Sequence, residues 1–256
     1  MILVDMNQVT ISNLMIQMKN EPLSVDLVRH LVLNSIRSYR TKFFNEFGEL
    51  ILCYDDKHYW RRDLFPYYKS NRKKDRTESN LNWNELFETL NLIRDELKET
   101  FPYKVLQVDG AEADDIIATI VNLVSKTPNL FEKILIMSGD KDFIQLQTHE
   151  NVQQYSPTLK KFINGVDPNT YKIEHIFKGD RGDGIPNILS PDNTFVEGLR
   201  QKPLGKNKID SWKQVGTWPI DDWNEEIKRN YQRNCKLIDL DLIPSHIRDT
   251  IYYSWK

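Results

Sequence analysis

Five short apolar runs punctuate the chain: Met1–Asp5, Leu50–Asp55, Lys104–Asp109, Lys133–Ser138 and Val152–Tyr155. Runs this short, with little polar alternation, predict strands buried on both faces. Between the first four lie stretches with the period of helices. Ser24 can cap one helix running to about Phe44, with Leu27, Leu31 and Ile36 inward. Asn82 can cap another running to about Thr100, with Leu86, Leu90, Ile93 and Leu97 on one stripe. A third runs from about Glu112 to Ser125 and carries Ile116, Ile117, Ile120 and Leu123. Strands alternating with helices predict an α/β fold on a parallel sheet. Two stretches break the pattern. Trp60–Asn80 has neither period and is too long for an ordinary connection, which leaves a functional lid or partial disorder. Beyond Lys178, Pro186, Pro191, Pro203 and Pro219 interrupt the pattern, and Gly179, Gly182 and Gly184 crowd one turn. Trp212, Trp218 and Trp223 there suggest a small helical cluster. The expected boundary separates a core at 1–177 from a helical region at 178–256.

Composition narrows the class. At 256 residues, 39% hydrophobic and 28% charged, the chain can bury one large core, or one and a half. No run approaches the roughly 20 apolar residues of a membrane span. The stretch Met1–Asp5 lacks the basic region and apolar length of a signal peptide. Two cysteines, Cys53 and Cys235, exclude a disulfide framework and fit a reducing cytoplasm. Five scattered histidines show no zinc-ligand spacing.

Charge changes the picture more. The net charge is -2, yet residues 57–76 hold eight basic groups against Asp63 and Asp75, so that segment carries +6 and the remainder -8. A basic block beside an acidic surplus suits a metal-dependent enzyme acting on phosphates, and also a merely solvated loop. Acidic residues follow each of the first four strands. Asp5 ends the first, Asp55 and Asp56 the second, Glu112, Asp114 and Asp115 open the helix after the third, and Asp140 and Asp142 follow the fourth. Ligands of open parallel sheets bind outside the carboxyl ends of the strands, so these acids are expected to converge. Asp180 and Asp183 add a three-residue spacing that would set both on one helical face. Singly, such residues also serve as helix caps. Collectively they repel, by about 4 kcal/mol for two charges 4 Å apart at an effective dielectric near 20. Hard divalent cations relieve this, and all-oxygen ligands select magnesium or manganese. Two metals can clamp a phosphodiester for in-line attack. In the stretch Trp60–Arg72 cations alternate with aromatics, as suits single-stranded or frayed nucleic acid; core packing is the plainer reading of Trp60, Tyr67 and Tyr68.

The ordered set Cys53-Tyr54-Asp55, Tyr59-Trp60-Arg61-Arg62-Asp63, Tyr68-Lys69-Ser70-Asn71-Arg72, Glu112-Ala113-Asp114-Asp115, Ser138-Gly139-Asp140-Lys141-Asp142-Phe143 and Gly179-Asp180-Arg181-Gly182-Asp183 resembles the 5′ nuclease superfamily of flap endonucleases and 5′-exonucleases, nearest its ribonuclease H branch from T-even phages. The resemblance implies a PIN-like nuclease core with a basic helical arch at 57–80 and a C-terminal helical duplex-binding region. It implies a 5′→3′ nuclease with two Mg2+, for which Mn2+ can substitute, leaving 5′-phosphates. Asp5, Asp55, Glu112, Asp114 and Asp140 would surround the first metal, with Asp142, Asp180 and Asp183 toward the second and Asp115 a ligand or its neighbour. Lys69 and Arg72 would act at the scissile phosphate together with Asp5, Asp55 and Asp140. Tyr68 would stack on the terminal base, and Arg61, Arg62, Lys73 and Lys74 would bind nucleic acid.

The implied substrates are RNA–DNA hybrids and DNA duplexes with 5′ ends or flaps, met during primer removal in phage replication in the cytoplasm of an infected host. The implied molecule is a monomer without membrane attachment, with a single-stranded-DNA-binding protein or sliding clamp as partner. Ile185–Pro191 departs from relatives that carry a glycine hairpin and a monovalent cation there. A PIN-type single-strand endoribonuclease and a non-catalytic replication scaffold are the competing readings.

Overall fold

The computed structural model describes residues 1–17, 24–77, 81–214 and 223–256. In chain order its first half runs β1 (Ile2–Asp5), α1 (Met6–Gln17), α2 (Val25–Phe47), β2 (Leu50–Tyr54), α3 (Trp60–Leu64), α4 (Asn71–Thr77), α5 (Trp83–Thr100), β3 (Lys104–Gln107) and α6 (Ala113–Lys126). There follow β4 (Ile134–Met137), β5 (Val152–Ser156), β6 (Lys161–Ile163), α7 (Pro168–Lys178), α8 (Lys206–Gln214), α9 (Glu225–Ile238) and α10 (Ser245–Trp255), with three 3-10 segments between them.

By packing, the chain divides into two compact units: Met1–Tyr59, Asn82–Gly165 and Pro244–Lys256 form the first, Trp60–Leu81 and Val166–Ile243 the second. This division differs from a boundary at 177. The helix α7 packs against α9, which takes Pro168–Lys178 into the second unit, while α10 packs against α6 and returns the C-terminal residues to the first.

The first unit is a six-stranded sheet of order β3-β2-β1-β4-β5-β6. All pairs are parallel except the last, an antiparallel hairpin of β5 and β6. The central strands are apolar throughout because both faces are covered: Ile2, Leu3 and Val4 of β1 and Ile134–Met137 of β4 are fully buried. Each such Ile or Leu contributes roughly 1.5–3 kcal/mol by leaving water. The helix α6 supplies Ile116, Ile117, Ile120, Val121 and Val124, and α5 supplies Leu86, Ile93 and Leu97. The inward face of α2 is Val28, Val32, Ile36, Phe43 and Phe47, one position on from the expected Leu27 and Leu31. Asn82 caps α5 by accepting from the Glu85 N–H, as its sequence implies. No helix among the described residues is long and apolar enough to cross a membrane.

In the second unit Phe177 of α7 is fully buried and packs edge-on against Trp212 and Trp223. Trp218, expected in the same cluster, lies outside the described residues. Three side chains of α9 hold the turn after α7 from beneath. Asn234 donates to the carbonyls of Ile176 and Pro186 at 2.7 and 3.0 Å, and Asn230 to those of Ile188 and Ser190, both at 3.1 Å. Arg233 donates to the Pro186 carbonyl at 2.8 Å and also bonds Asp192.

Candidate active site

Three carboxylates of the first unit gather at the carboxyl ends of adjacent strands. Asp5 closes β1, Asp55 follows β2 and Asp140 lies three residues past β4, and β1 runs between β2 and β4. Register sets Asp5 opposite Cys53 and Val4 opposite Met137, so the three chain ends lie side by side. Asp5 is only 4% exposed. Burial pushes its carboxyl from 3.8 up to about 7, with the Asp55 and Asp140 charges adding to the rise and bonds from the Gln8 N–H and Ser138 opposing it.

Each acid has a fixed aim. Asp5 Oδ1 accepts from the Gln8 N–H at 3.1 Å and Oδ2 from the Ser138 hydroxyl at 2.9 Å. Asp55 Oδ1 accepts from the Ala113 N–H and Oδ2 from Asn7 Nδ2, both at 2.8 Å. Asp140 Oδ1 accepts from the Asp142 N–H at 3.0 Å, while its own N–H donates to Ser138 Oγ at 3.1 Å. Buried Gln154 donates to the carbonyls of Ser138 and Asp140. Glu112 and Asp115 form a capping box on α6, in which the Glu112 N–H donates to Asp115 Oδ2 at 2.9 Å. Asp115 is fully buried, whereas Asp114 and Asp142 are half-buried.

Sequence reasoning overlooked Asn7, Gln8, Ser138 and Gln154. Asn7 stands two residues past Asp5, where a phosphatase would carry a second aspartate, and Ser138 stands two before Asp140. Both positions were visible, but their hydrogen bonds depend on strand register.

In the second unit several expectations change. Asp180 and Asp183 share a turn, not a helical face: Asp180 bridges to Ile185 and accepts the Asp183 N–H at 3.1 Å. The glycines require it. Gly179 has φ +67, and a Cβ there would meet the Ile185 carbonyl at 2.3 Å. Burial of Asp180 favours its neutral form, yet His175, at 3.5 Å, and the N–H groups of Asp183 and Gly182 outweigh it and leave the carboxyl below its usual range. Lys69 and Arg72 do not share a helix either. Lys69 precedes α4 in a left-handed conformation with φ 55, because its N–H must reach the Asp183 carbonyl at 2.7 Å.

Tyr68 is buried, and its hydroxyl donates to Asp183 Oδ2 at 2.8 Å. Arg61 is 3% exposed and donates to the Leu237 carbonyl at 2.9 Å. Arg62 is exposed. The side chains of Lys73 and Lys74 lie outside what the structure describes.

A parallel sheet with acids gathered at its carboxyl edge defines a PIN-type hydrolase architecture. Residues 15–176 match the 5′-3′ exonuclease, N-terminal resolvase-like domain family. Ribonuclease H of Enterobacteria phage T4 is 35% identical over 98% of this chain and 85% of its own length. A 5′-3′ exonuclease of Buchnera aphidicola subsp. Schizaphis graminum is 30% identical over 61% of this chain and 53% of its length. Flap endonuclease Xni of Shewanella sp. (strain MR-4) is 32% identical over half of this chain and 48% of its own. The chain therefore belongs to the 5′-3′ exonuclease family and is a nuclease. A bacteriophage T5 flap endonuclease, solved as a pseudo-enzyme-product complex with DNA and metal ions, superposes with TM-score 0.74 at 21% identity over 99% of this chain and 95% of its own. T5 5′-exonuclease with bound zinc gives 0.73 at 20% identity over 99% and 96%. These two likenesses are of fold.

Proposed function

We propose that this nuclease hydrolyses RNA–DNA hybrids and DNA duplexes from 5′ ends or flaps, using two Mg2+ that Mn2+ can replace. The observation that carries the reading is the meeting of Asp5, Asp55 and Asp140 at three adjacent strand ends, with the Asp5 carboxyl raised to about 7. The donor set fits a hard divalent cation, since every side chain in it offers oxygen. Asp5, Asp55, Glu112, Asp114, Asp140 and Asp142 would hold the metals, and Asp115 would fix the backbone of Glu112. Of the acids that the resemblance adds from the second unit, Asp180 keeps that expectation. Bound divalent cations would supply a polarised phosphodiester and a more acidic water. The chain supplies the aim of the carboxylates through Asn7, Gln8, Ser138 and the Ala113 N–H. Lys69 and Arg72 supply positive charge for the phosphate, and Arg62, Lys73 and Lys74 for the flanking backbone. The 178–256 region is the candidate duplex grip.

Similarity to a phage ribonuclease H supports a role in primer removal during phage replication inside a host cell, with a single-stranded-DNA-binding protein or sliding clamp as partner. The test offers Mg2+ and 5′-labelled hybrid, flap and single-stranded RNA to the protein and to Asp140→Asn. Cleavage of hybrid and flap to 5′-phosphates, abolished by the substitution, is expected. Cleavage of single-stranded RNA alone would make the chain an endoribonuclease, and binding without cleavage would make it a scaffold.

A further inference from the structure

The carboxylate of Asp183 is occupied. Its Oδ1 accepts from an Arg72 guanidinium nitrogen at 2.6 Å. Its Oδ2 accepts from the Tyr68 hydroxyl at 2.8 Å and lies 3.7 Å from the Lys69 ammonium. Its backbone carbonyl takes the Lys69 N–H at 2.7 Å, and Asn71 donates to the neighbouring Arg181 carbonyl at 2.7 Å. One turn thus receives Tyr68, Lys69, Asn71 and Arg72, all within the second unit. The backbone shows that this approach is built in. Lys69 adopts φ 55, and Gly184 adopts φ +72 where a Cβ would stand 2.9 Å from the Tyr67 carbonyl.

Charge-assisted bonds to a carboxylate are directional, and Asp183 is 15% exposed at its side chain while its Arg72 partner is 43% exposed. A metal ion brought to either oxygen would meet the Arg72 and Lys69 cations that already neutralise it. Removing Asp183 would leave two adjacent cations to repel each other and would take from Arg72 the carboxylate that aims its guanidinium.

We propose that Asp183 is a positioning residue, not a metal ligand: it holds Lys69 and Arg72 as a fixed pair toward the substrate phosphate, with Tyr68 bracing the arrangement. The proposal rests on the nuclease reading of Lys69 and Arg72 and replaces the expected role of Asp183. Its cost when removed resembles that of other orienting residues, about 10- to 100-fold in activity.

The experiment is a cycle of Asp183→Asn, Arg72→Ala and the double variant, read by turnover on a 5′ flap and by calorimetric titration of each metal-free protein with Mn2+. Asp183→Asn is expected to lower kcat about 10- to 100-fold with KM little changed. It should bind as many Mn2+ ions as the wild type, while Asp140→Asn loses Mn2+. Arg72→Ala should cost a similar factor, and the double variant little more than either. Loss of a Mn2+ site in Asp183→Asn, additive losses, or unchanged kcat would overturn the proposal. Should Asp183→Asn fail to fold, Tyr68→Phe must lower kcat in the same direction, and an unchanged rate overturns it. A wild type that neither cleaves nor binds Mn2+ would sink the nuclease reading itself. The same cycle read by Tm would then decide the clamp, with additive losses refuting it.

Discussion

Asp5 shows how one buried carboxyl ties stability to pH. Its carboxyl titrates near 7 in the folded protein and near 3.8 when exposed, because burial and the Asp55 and Asp140 charges disfavour its anion. Between those values the folded state binds the extra proton, so stability falls as pH rises through about 4 to 7. At pH 8 in chelator the deficit reaches at most about 4 kcal/mol, from 1.36 kcal/mol per unit. Thermal melts should therefore show Tm falling across that window without metal and recovering with added Mg2+. Asp5→Asn should raise Tm in chelator at pH 8, abolish the Mg2+ response and abolish cleavage; a lower Tm would mean that the carboxylate is not under electrostatic stress. The acids themselves could be read from sequence, since carboxylates that follow successive buried strands must meet at one edge of the sheet. Their holders could not. Asn7 and Ser138 are ordinary polar residues until pairing of β1 with β2 and β4 sets them beside Asp55 and Asp5.

The same contrast holds for elements. Strands β1, β2 and β4 and helices α2, α5 and α6 were legible because each has one dominant period or an apolar run, whereas β3 and β5, with polar residues inside them, were legible only from their place in the alternation. The helix α1 was not, for Met6, Val9, Leu14 and Met15 follow no clean stripe and no break separates it from β1. The three-residue β6 is too short to carry a pattern. On α9 the asparagines looked like surface residues, yet Asn230 and Asn234 are 0% exposed and donate to the Ile176 carbonyl of α7 and to the carbonyls of Pro186, Ile188 and Ser190 beyond it. Asn234→Leu would fill the space and leave the Ile176 carbonyl without that donor. Urea unfolding should show a loss of about 1–3 kcal/mol, and a loss under 0.5 kcal/mol would mean that water or a neighbour replaces the amide. Protein donors already occupy these carbonyls, so the grip on duplex should be indifferent to exchange of potassium for sodium at equal ionic strength. Weaker binding in sodium would reveal a cation site that the α9 side chains do not replace.

At the scale of the molecule, charge is unevenly placed, and burial distinguishes neighbouring charges of one sign. The segment 57–76 carries +6 within a chain of net charge -2. Sequence alone cannot separate Arg61 from Arg62, yet one is spent on the Leu237 carbonyl and the Trp60 ring while the other faces solvent. Polyanion binding follows exposed cations through counterion release, with a salt slope near 0.9 per phosphate neutralised. Arg62→Ala should thus lower affinity for hybrid and flap alike and flatten the slope of log K against log salt by about 1, leaving stability within about 0.5 kcal/mol. Arg61→Ala should do the reverse, costing on the order of 2 kcal/mol of stability by unsatisfying a buried carbonyl while the slope stays put. Filter binding across 50 to 200 mM salt beside thermal melts separates the two. If both variants flatten the slope equally, the buried guanidinium reaches solvent in the working protein, and the packing that ties Arg61 to Leu237 must open when nucleic acid binds.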